Sequence, residues 1–156
     1  MTAKTIPTPI GPLGLIAEDE YLVEILFAGL SPGTEESDSP VLRLAEEQLS
    51  EYFAGTRRDF SIPLKFKGTN FQRAVWMELQ KIPYGKTKSY ADVATAVGNP
   101  KAVRAVGGAN HANRLPIVIP CHRVIGKNGK LVGFGGGLPT KTFLLEWERN
   151  HDADHS

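Results

Sequence analysis

The sequence predicts an α+β chain. A small N-terminal α/β subdomain, an antiparallel sheet plus a helix, is expected over residues 1–66. A mostly helical C-terminal subdomain with a winged helix-turn-helix is expected over residues 67–156. Three observations predict this. Apolar and polar residues alternate between Leu13 and Phe27, then fall on a helical stripe between Val41 and Phe53. Two short segments with helix-start residues, Ser89 and Asn99, flank Gly98. The charge also changes sign along the chain: residues 1–64 carry a balance of −7, residues 65–130 one of +10, and residues 131–156 one of −2. A cationic block between acidic flanks points to a polyanionic partner, beside the plainer reading of a solvated surface.

A length of 156 residues with 41% hydrophobic content supports a proper core in one domain, or a small domain joined to a slightly larger one. No apolar run is long enough to span a membrane, and the N-terminus lacks a basic-then-apolar signal pattern. A single cysteine makes no internal disulfide and builds no Cys-rich zinc site. The expectations are therefore a cytoplasmic protein, where a reducing medium keeps the thiol free, with no metal and no membrane partner. A monomer is also expected.

In order along the chain, residues 8–27 read as a hairpin with its turn at Glu18-Asp19-Glu20. Residues 29–40, rich in Ser, Pro, Gly and acids, read as a loop. Val41, Leu44, Ala45, Leu49, Tyr52 and Phe53 form one helical stripe that Gly55 ends, and residues 60–66 read as a short strand. This first third offers no functional residues. Thr69-Asn70-Phe71-Gln72 is a capping-box pattern opening a helix to about Gln80, with Phe71, Ala74, Val75, Met77 and Leu79 as its apolar surface and Trp76 in the core.

Ser89, with Asp92 three residues on, caps a helix that places Val93, Ala94 and Val97 inward and stops at Gly98. Asn99 is expected to cap a second helix with Pro100 at its first position, running to Gly107-Gly108. Helix, Gly-containing turn, helix over residues 89–108 is the helix-turn-helix layout. The outward side of the second helix is small apart from Lys101 and Arg104. That lets a backbone come close to DNA and a long cation reach in.

Ile117-Val118-Ile119 reads as a short buried strand that Pro120 stops, delivering Cys121 to its end with His122 beside it. A thiol attacks as the thiolate, and a neighbouring imidazole is a usual way to form one. A lone cysteine is also often just a small core residue, so the pair by itself leaves both readings open. Asn113, eight residues upstream, is either the residue that holds the preceding turn or an ordinary turn asparagine. Val124-Ile125 continues as strand, Lys127-Asn128-Gly129-Lys130 supplies an Asn-Gly hairpin turn, and Phe134-Gly135-Gly136-Gly137 lacks side-chain bulk. Pro139 opens a last helix with Phe143, Leu144, Leu145 and Trp147 as apolar anchors and Glu148 near its end. The tail from His151 reads as frayed.

Pro120-Cys121-His122-Arg123-Val124 resembles the active-site signature of the O6-alkylguanine-DNA alkyltransferases, the methylated-DNA–protein-cysteine methyltransferases. Ser89-Tyr90, the run from Gly98 to Ala109, Asn113, residues 116–124 and Leu144-Leu145-Glu146-Trp147-Glu148 fit that family in order and spacing. The good match covers about residues 71–148; the first seventy residues fit only loosely.

The resemblance implies direct repair of double-stranded DNA through the minor groove. The damaged base, O6-alkylguanine and also O4-alkylthymine, is rotated out of the stack, and its alkyl group passes irreversibly to Cys121 in one turnover with no cofactor. It implies that His122, polarised by Glu148, takes the thiol proton through a water, that Tyr90 rotates the nucleotide and gives a proton to guanine N3, and that Asn113 is a hinge. It implies that Arg104 enters the duplex, with Lys101 and Ala102 beside it on the DNA, and that backbone at Cys121, Val124 and Gly135 meets the guanine. Where some relatives carry Tyr-Ser this chain has Phe134-Gly135, and the N-terminal cysteines that hold zinc in some relatives are missing. The rival readings are a non-reacting alkylguanine-binding module, a transcriptional regulator and a cysteine hydrolase.

Overall fold

The computed structural model describes residues 1–131 and 136–152. It forms two compact units, Met1–Phe66 and Lys67–Ser156.

In the first unit, β1 (Thr2–Ile6), β2 (Leu13–Glu18) and β3 (Tyr21–Phe27) make an antiparallel sheet in the order β1-β2-β3. The hairpin expected over residues 8–27 is the β2–β3 pair, and its turn carries Asp19 in the left-handed region. β1 is an addition to the sequence reading. Its two buried residues, Ala3 and Ile6, are three apart, so it shows no alternation to read. Helix α1 (Pro40–Phe53) covers the sheet, burying Val41, Leu42, Ala45, Leu49, Tyr52 and Phe53. Ser39 caps its start by accepting from Leu42 N–H, and a Schellman ending through Gly55 and Thr56 closes it. The strand expected over residues 60–66 reduces to a single bridge of Leu64 to Leu22, because Pro63 has no N–H with which to extend the ladder.

The second unit packs α2 (Asn70–Leu79), α3 (Tyr90–Ala96) and α4 (Val103–His111) on one another. Both expected capping boxes are present: Thr69 with Gln72 opens α2, and Ser89 with Asp92 opens α3. Trp76 is buried, and its indole N–H donates to the Ala109 carbonyl at 2.8 Å, which ties α2 to α4. Met77 is not part of the apolar surface of α2; it is 59% exposed. Helix α3 ends in a full Schellman motif, with Asn99 N–H on Ala94 O and Gly98 N–H on Thr95 O, which needs the positive φ of Gly98.

Asn99 and Pro100 do not open the next helix. They form a turn closed by Ala102 N–H on Asn99 O, where proline's fixed φ suits the second position. Helix α4 starts after that turn and runs through Gly107 and Gly108 to His111. A two-stranded parallel ladder pairs β4 (Lys88–Ser89) with β5 (Val124–Ile125), and an Asn128-Gly129 turn with both φ positive follows it. Helix α5 (Leu138–Asp152) ends the described chain, so His151 and Asp152 are helical rather than frayed. Of the four expected apolar anchors in α5 only Leu144 is fully buried; Phe143 and Trp147 stack on each other at 5.9 Å, half-buried.

Candidate active site

The sequence reading of Ile117–Ile119 as a strand is corrected by the structure. Val118 N–H bonds Pro116 O at 2.9 Å around Ile117, whose φ is +74°, a γ-turn that a β-branched residue seldom adopts. A second such turn, of the relaxed kind, centres on Pro120 (φ −79°, ψ 66°) with Cys121 N–H on Ile119 O at 2.7 Å. Strain of this sort persists only where the surroundings impose it. Here Leu115 to Val124 is continuously buried. Asn113 supplies the strap: its amide donates to Ile119 O at 2.8 Å and its carbonyl accepts from Leu115 N–H at 2.9 Å. Asn113 also acts on the Cys121 thiol.

Cys121, His122 and Arg123 form a single 3-10 turn, all buried. Burial pushes the Cys121 thiol up to about 11, against the Asn113 side chain and the Lys141 cation, which lower it. At neutral pH the resting thiol therefore keeps its proton. His122 is fully buried, with its Nε2 2.7 Å from Glu148 Oε2. Burial holds the imidazole below its ordinary value, with Glu148 acting the other way. Glu148 is 1% exposed; burial pushes its carboxyl up, but His122 and Arg123 outweigh that and hold it ionised far below 4.5. An ionised carboxylate can only accept, so the His122 proton sits on Nε2. Nδ1, with no partner among the described residues, is left with an open lone pair inside the protein.

Tyr90, the first residue of α3, is partly exposed. Burial and the charge of Cys121 raise its hydroxyl, which the Asn110 side chain lowers. Asn110 also donates to the Cys121 carbonyl at 3.3 Å. Val124 is buried, and its carbonyl already accepts from Lys141 Nζ at 2.7 Å. Arg104 and Lys101 are exposed, and Ala102 is partly so. Arg104 stands on α4 between exposed Val103 and Ala105, while Lys101 and Ala102 belong to the turn and the cap. A Cβ at Gly107 or Gly108 would meet open space, so this helix face presents little more than backbone around one long cation. Gly135, expected to meet the base, lies outside the described residues.

Three residues here were not singled out from the sequence. Arg123 forks onto Glu148 (Nε–Oε1 2.7 Å, Nη2–Oε2 3.1 Å) and donates from Nη1 to Ile82 O at 2.7 Å. Lys141 is fully buried, with Nζ 6.0 Å from the Tyr90 ring centroid. Asn110 is the third. A sequence signal existed for two of them: Lys141, Leu144 and Glu148 share one helical stripe, as do Val106 and Asn110, so polar residues sit in apolar register. Among the described residues no group of three or more His, Cys, Asp or Glu is placed to hold a metal, and no helix is long and apolar enough to cross a membrane.

Two family models cover nearly the whole chain: the DNA binding domain of 6-O-methylguanine DNA methyltransferase over residues 70–150, and its ribonuclease-like domain over residues 1–66. A Bacillus subtilis protein named constitutive methylated-DNA–protein-cysteine methyltransferase is 52% identical, with 93% of each chain covered. A Methanosarcina acetivorans protein of the same enzyme name is 47% identical over 90% of this chain and 94% of the relative. The Mycobacterium tuberculosis OGT crystallised in complex with DNA superposes with a TM-score of 0.89 at 43% identity, covering 97% of this chain and 94% of that one. With both of its units matched and about half of its residues shared with an enzyme so named, the chain belongs to the 6-O-methylguanine DNA methyltransferase family.

Proposed function

We propose that this protein repairs DNA by taking an alkyl group from O6 of guanine, and also from O4 of thymine, onto Cys121, once per molecule. The observation that carries the reading is the open Nδ1 of His122, in the same buried turn as a thiol that keeps its proton until a base removes it. His122 takes that proton, directly or through a water, and becomes an imidazolium opposite Glu148. The thiolate attacks the alkyl carbon, a C–S bond forms, the C–O6 bond breaks, and its electron pair passes to guanine. Tyr90 gives its proton to N3, so a neutral base departs. Tyr90 suits this role because its hydroxyl stays protonated until a stronger acceptor arrives. Lys141, acting on Cys121 and close to the Tyr90 ring, is a fixed cation beside both groups that become anionic. The thioether is not hydrolysable, which makes the reaction stoichiometric.

Access to O6 requires the base to leave the duplex. The small face of α4, with Arg104 as its one long cation, fits a minor groove, and Arg104 fills the gap left by the rotated base. Asn113 holds the strained turn before Cys121, and the Cys121 and Val124 carbonyls face the guanine amino group. Lys101 and Ala102 contact the backbone from the turn. The protein acts as a monomer in the cytoplasm and needs no cofactor.

The test is intact-mass measurement after incubation with duplex DNA carrying O6-methylguanine. A gain of one CH2, mapped to Cys121 and saturating at one per chain, is expected. Binding without mass gain would leave only a lesion-binding module.

A further inference from the structure

The Arg123 guanidinium is enclosed on three sides. It forks onto both oxygens of Glu148, donates to the Ile82 carbonyl at 2.7 Å, and lies 5.7 Å from the centroid of the Tyr84 ring. All of these partners are buried, so the group has no room to swing. The frame is itself fixed: Ile82 and Tyr84 sit in the turn after α2, closed by Ile82 N–H on Leu79 O and Lys86 N–H on Pro83 O, with Gly85 at positive φ. A carboxylate held by such a fork has its remaining acceptor direction set, and Oε2 of Glu148 points that direction at His122 Nε2.

We propose that Arg123 is a positioning residue for alkyl transfer: clamped between Ile82, Tyr84 and Glu148, it keeps the His122 ring neutral, with its proton on Nε2 and Nδ1 open. This deepens the repair reading and rests on His122 being the base for Cys121. The argument is one of charge. Arginine cannot lose its proton, so Arg123 and ionised Glu148 cancel and the neutral imidazole adds nothing. Without the guanidinium, the buried carboxylate would lose the cation that forks onto both of its oxygens, with the imidazole still 2.7 Å away. The inexpensive remedy is to draw a proton onto His122, and an imidazolium has no lone pair on Nδ1 to offer a thiol. The other charged group acting on His122 is Lys141 from α5, a cation that works in the same sense as Arg123; Cys121, in the same turn as His122, is neutral at rest. Lysine in place of Arg123 would keep the charge. As a point donor it could not hold two carboxylate oxygens and a carbonyl in one plane.

The experiment compares wild type, Arg123→Gln and Arg123→Lys, each checked for fold by circular dichroism and for affinity toward unmodified duplex. The first readout is the 15N spectrum of the His122 ring against pH in DNA-free protein. The second is the single-turnover rate of methyl transfer against pH. Wild type should show the Nε2–H tautomer throughout the neutral range. Arg123→Gln should raise the His122 midpoint by about one pH unit or more, and the acid limb of the rate should rise with it. Arg123→Lys should move the midpoint less, while its plateau rate falls about tenfold through loss of alignment. The proposal is overturned if, in folded Arg123→Gln, the tautomer and midpoint stay put or the rate drops with its acid limb unmoved. Should Arg123→Gln not fold, Arg123→Lys decides: a tautomer, midpoint and plateau rate all like wild type overturn the proposal. A wild type that transfers no methyl group would instead sink the repair reading, and the 15N titration would still decide what Arg123 does to His122.

Discussion

Replacing Glu148 by glutamine keeps the side chain's shape and removes its charge. In the native protein the donors on this carboxylate include these three: Arg123 Nε at 2.7 Å, Arg123 Nη2 at 3.1 Å and His122 Nε2 at 2.7 Å. An amide offers one oxygen and one NH2 in the same places. Whichever way it is turned, at least one of the three donors faces another donor, and Arg123, buried in its clamp, keeps a charge without that counter-ion. Losing one charge-assisted bond costs about 1.5–3 kcal/mol. Leaving a buried charge unpaired raises the total to about 3–5 kcal/mol. The chain's two tryptophans, Trp76 and Trp147, both lie in the second unit, so tryptophan fluorescence in urea reports on the unit that holds the array. With a slope of about 2 kcal/mol/M, the midpoint should drop by about 2 M.

The pH dependence adds a check with a definite sign. The folded Glu148 carboxyl titrates far below its ordinary value of 4.5. Its contribution is fully present above that ordinary value and is lost as pH falls toward the folded one. The gap between wild type and Glu148→Gln should therefore be widest near neutrality and should close on acidification below about 4.5. A cost under about 1 kcal/mol at neutral pH is what a water-screened pair loses. That result, or a gap that does not close in acid, would refute the picture of a buried, charge-balanced array.

Arg104→Ala should slow repair of a duplex substrate by tenfold or so, about the cost of losing a wedge that offsets unstacking, while transfer from free O6-benzylguanine stays near wild type; equal losses on both would remove Arg104 from the duplex. In DNA-free protein, the rate at which a small alkylating reagent modifies Cys121 should climb steadily with pH toward about 11, and folding stability should be unaffected by this thiol below 9.0 and fall between there and about 11, because the folded state holds the thiol proton longer than the unfolded chain does. A plateau in that rate near neutral pH would show a resting thiolate instead. Lys141→Met should lose about 1–3 kcal/mol of stability through the Val124 carbonyl left without its 2.7 Å donor, and should slow transfer without changing duplex affinity, as read by single-turnover kinetics beside a binding titration.

The elements that could be read from the sequence are those whose cause is local. Thr69 with Gln72 and Ser89 with Asp92 are three residues apart, so each capping box closes within its own first turn whatever lies around it. Gly98 announces the end of α3 because only a residue at ease with positive φ completes that ending. The charge reversal near residue 65 and the Pro-Cys-His-Arg-Val run are likewise visible in order alone.

The start of α4 was misread because Asn99 and Pro100 satisfy two local rules at once, a helix cap and a turn, and packing chose the turn. Ile117-Val118-Ile119 has the composition of a strand, yet it folds into a γ-turn. The hydrogen bonds of Asn113 and the burial of the whole segment impose a backbone that isoleucine would not adopt alone.

By itself, then, the order of residues determined where α2 and α3 begin and where positive charge accumulates. Only the tertiary structure decided the electrostatics: which nitrogen of His122 is left open, that Arg123 shares Glu148 with it, and that Lys141 is buried beside Val124 and Tyr90. The physical reason is that a charge is set by what surrounds it in a buried interior, and those neighbours come from segments up to 41 residues apart that nothing in their local sequence brings together.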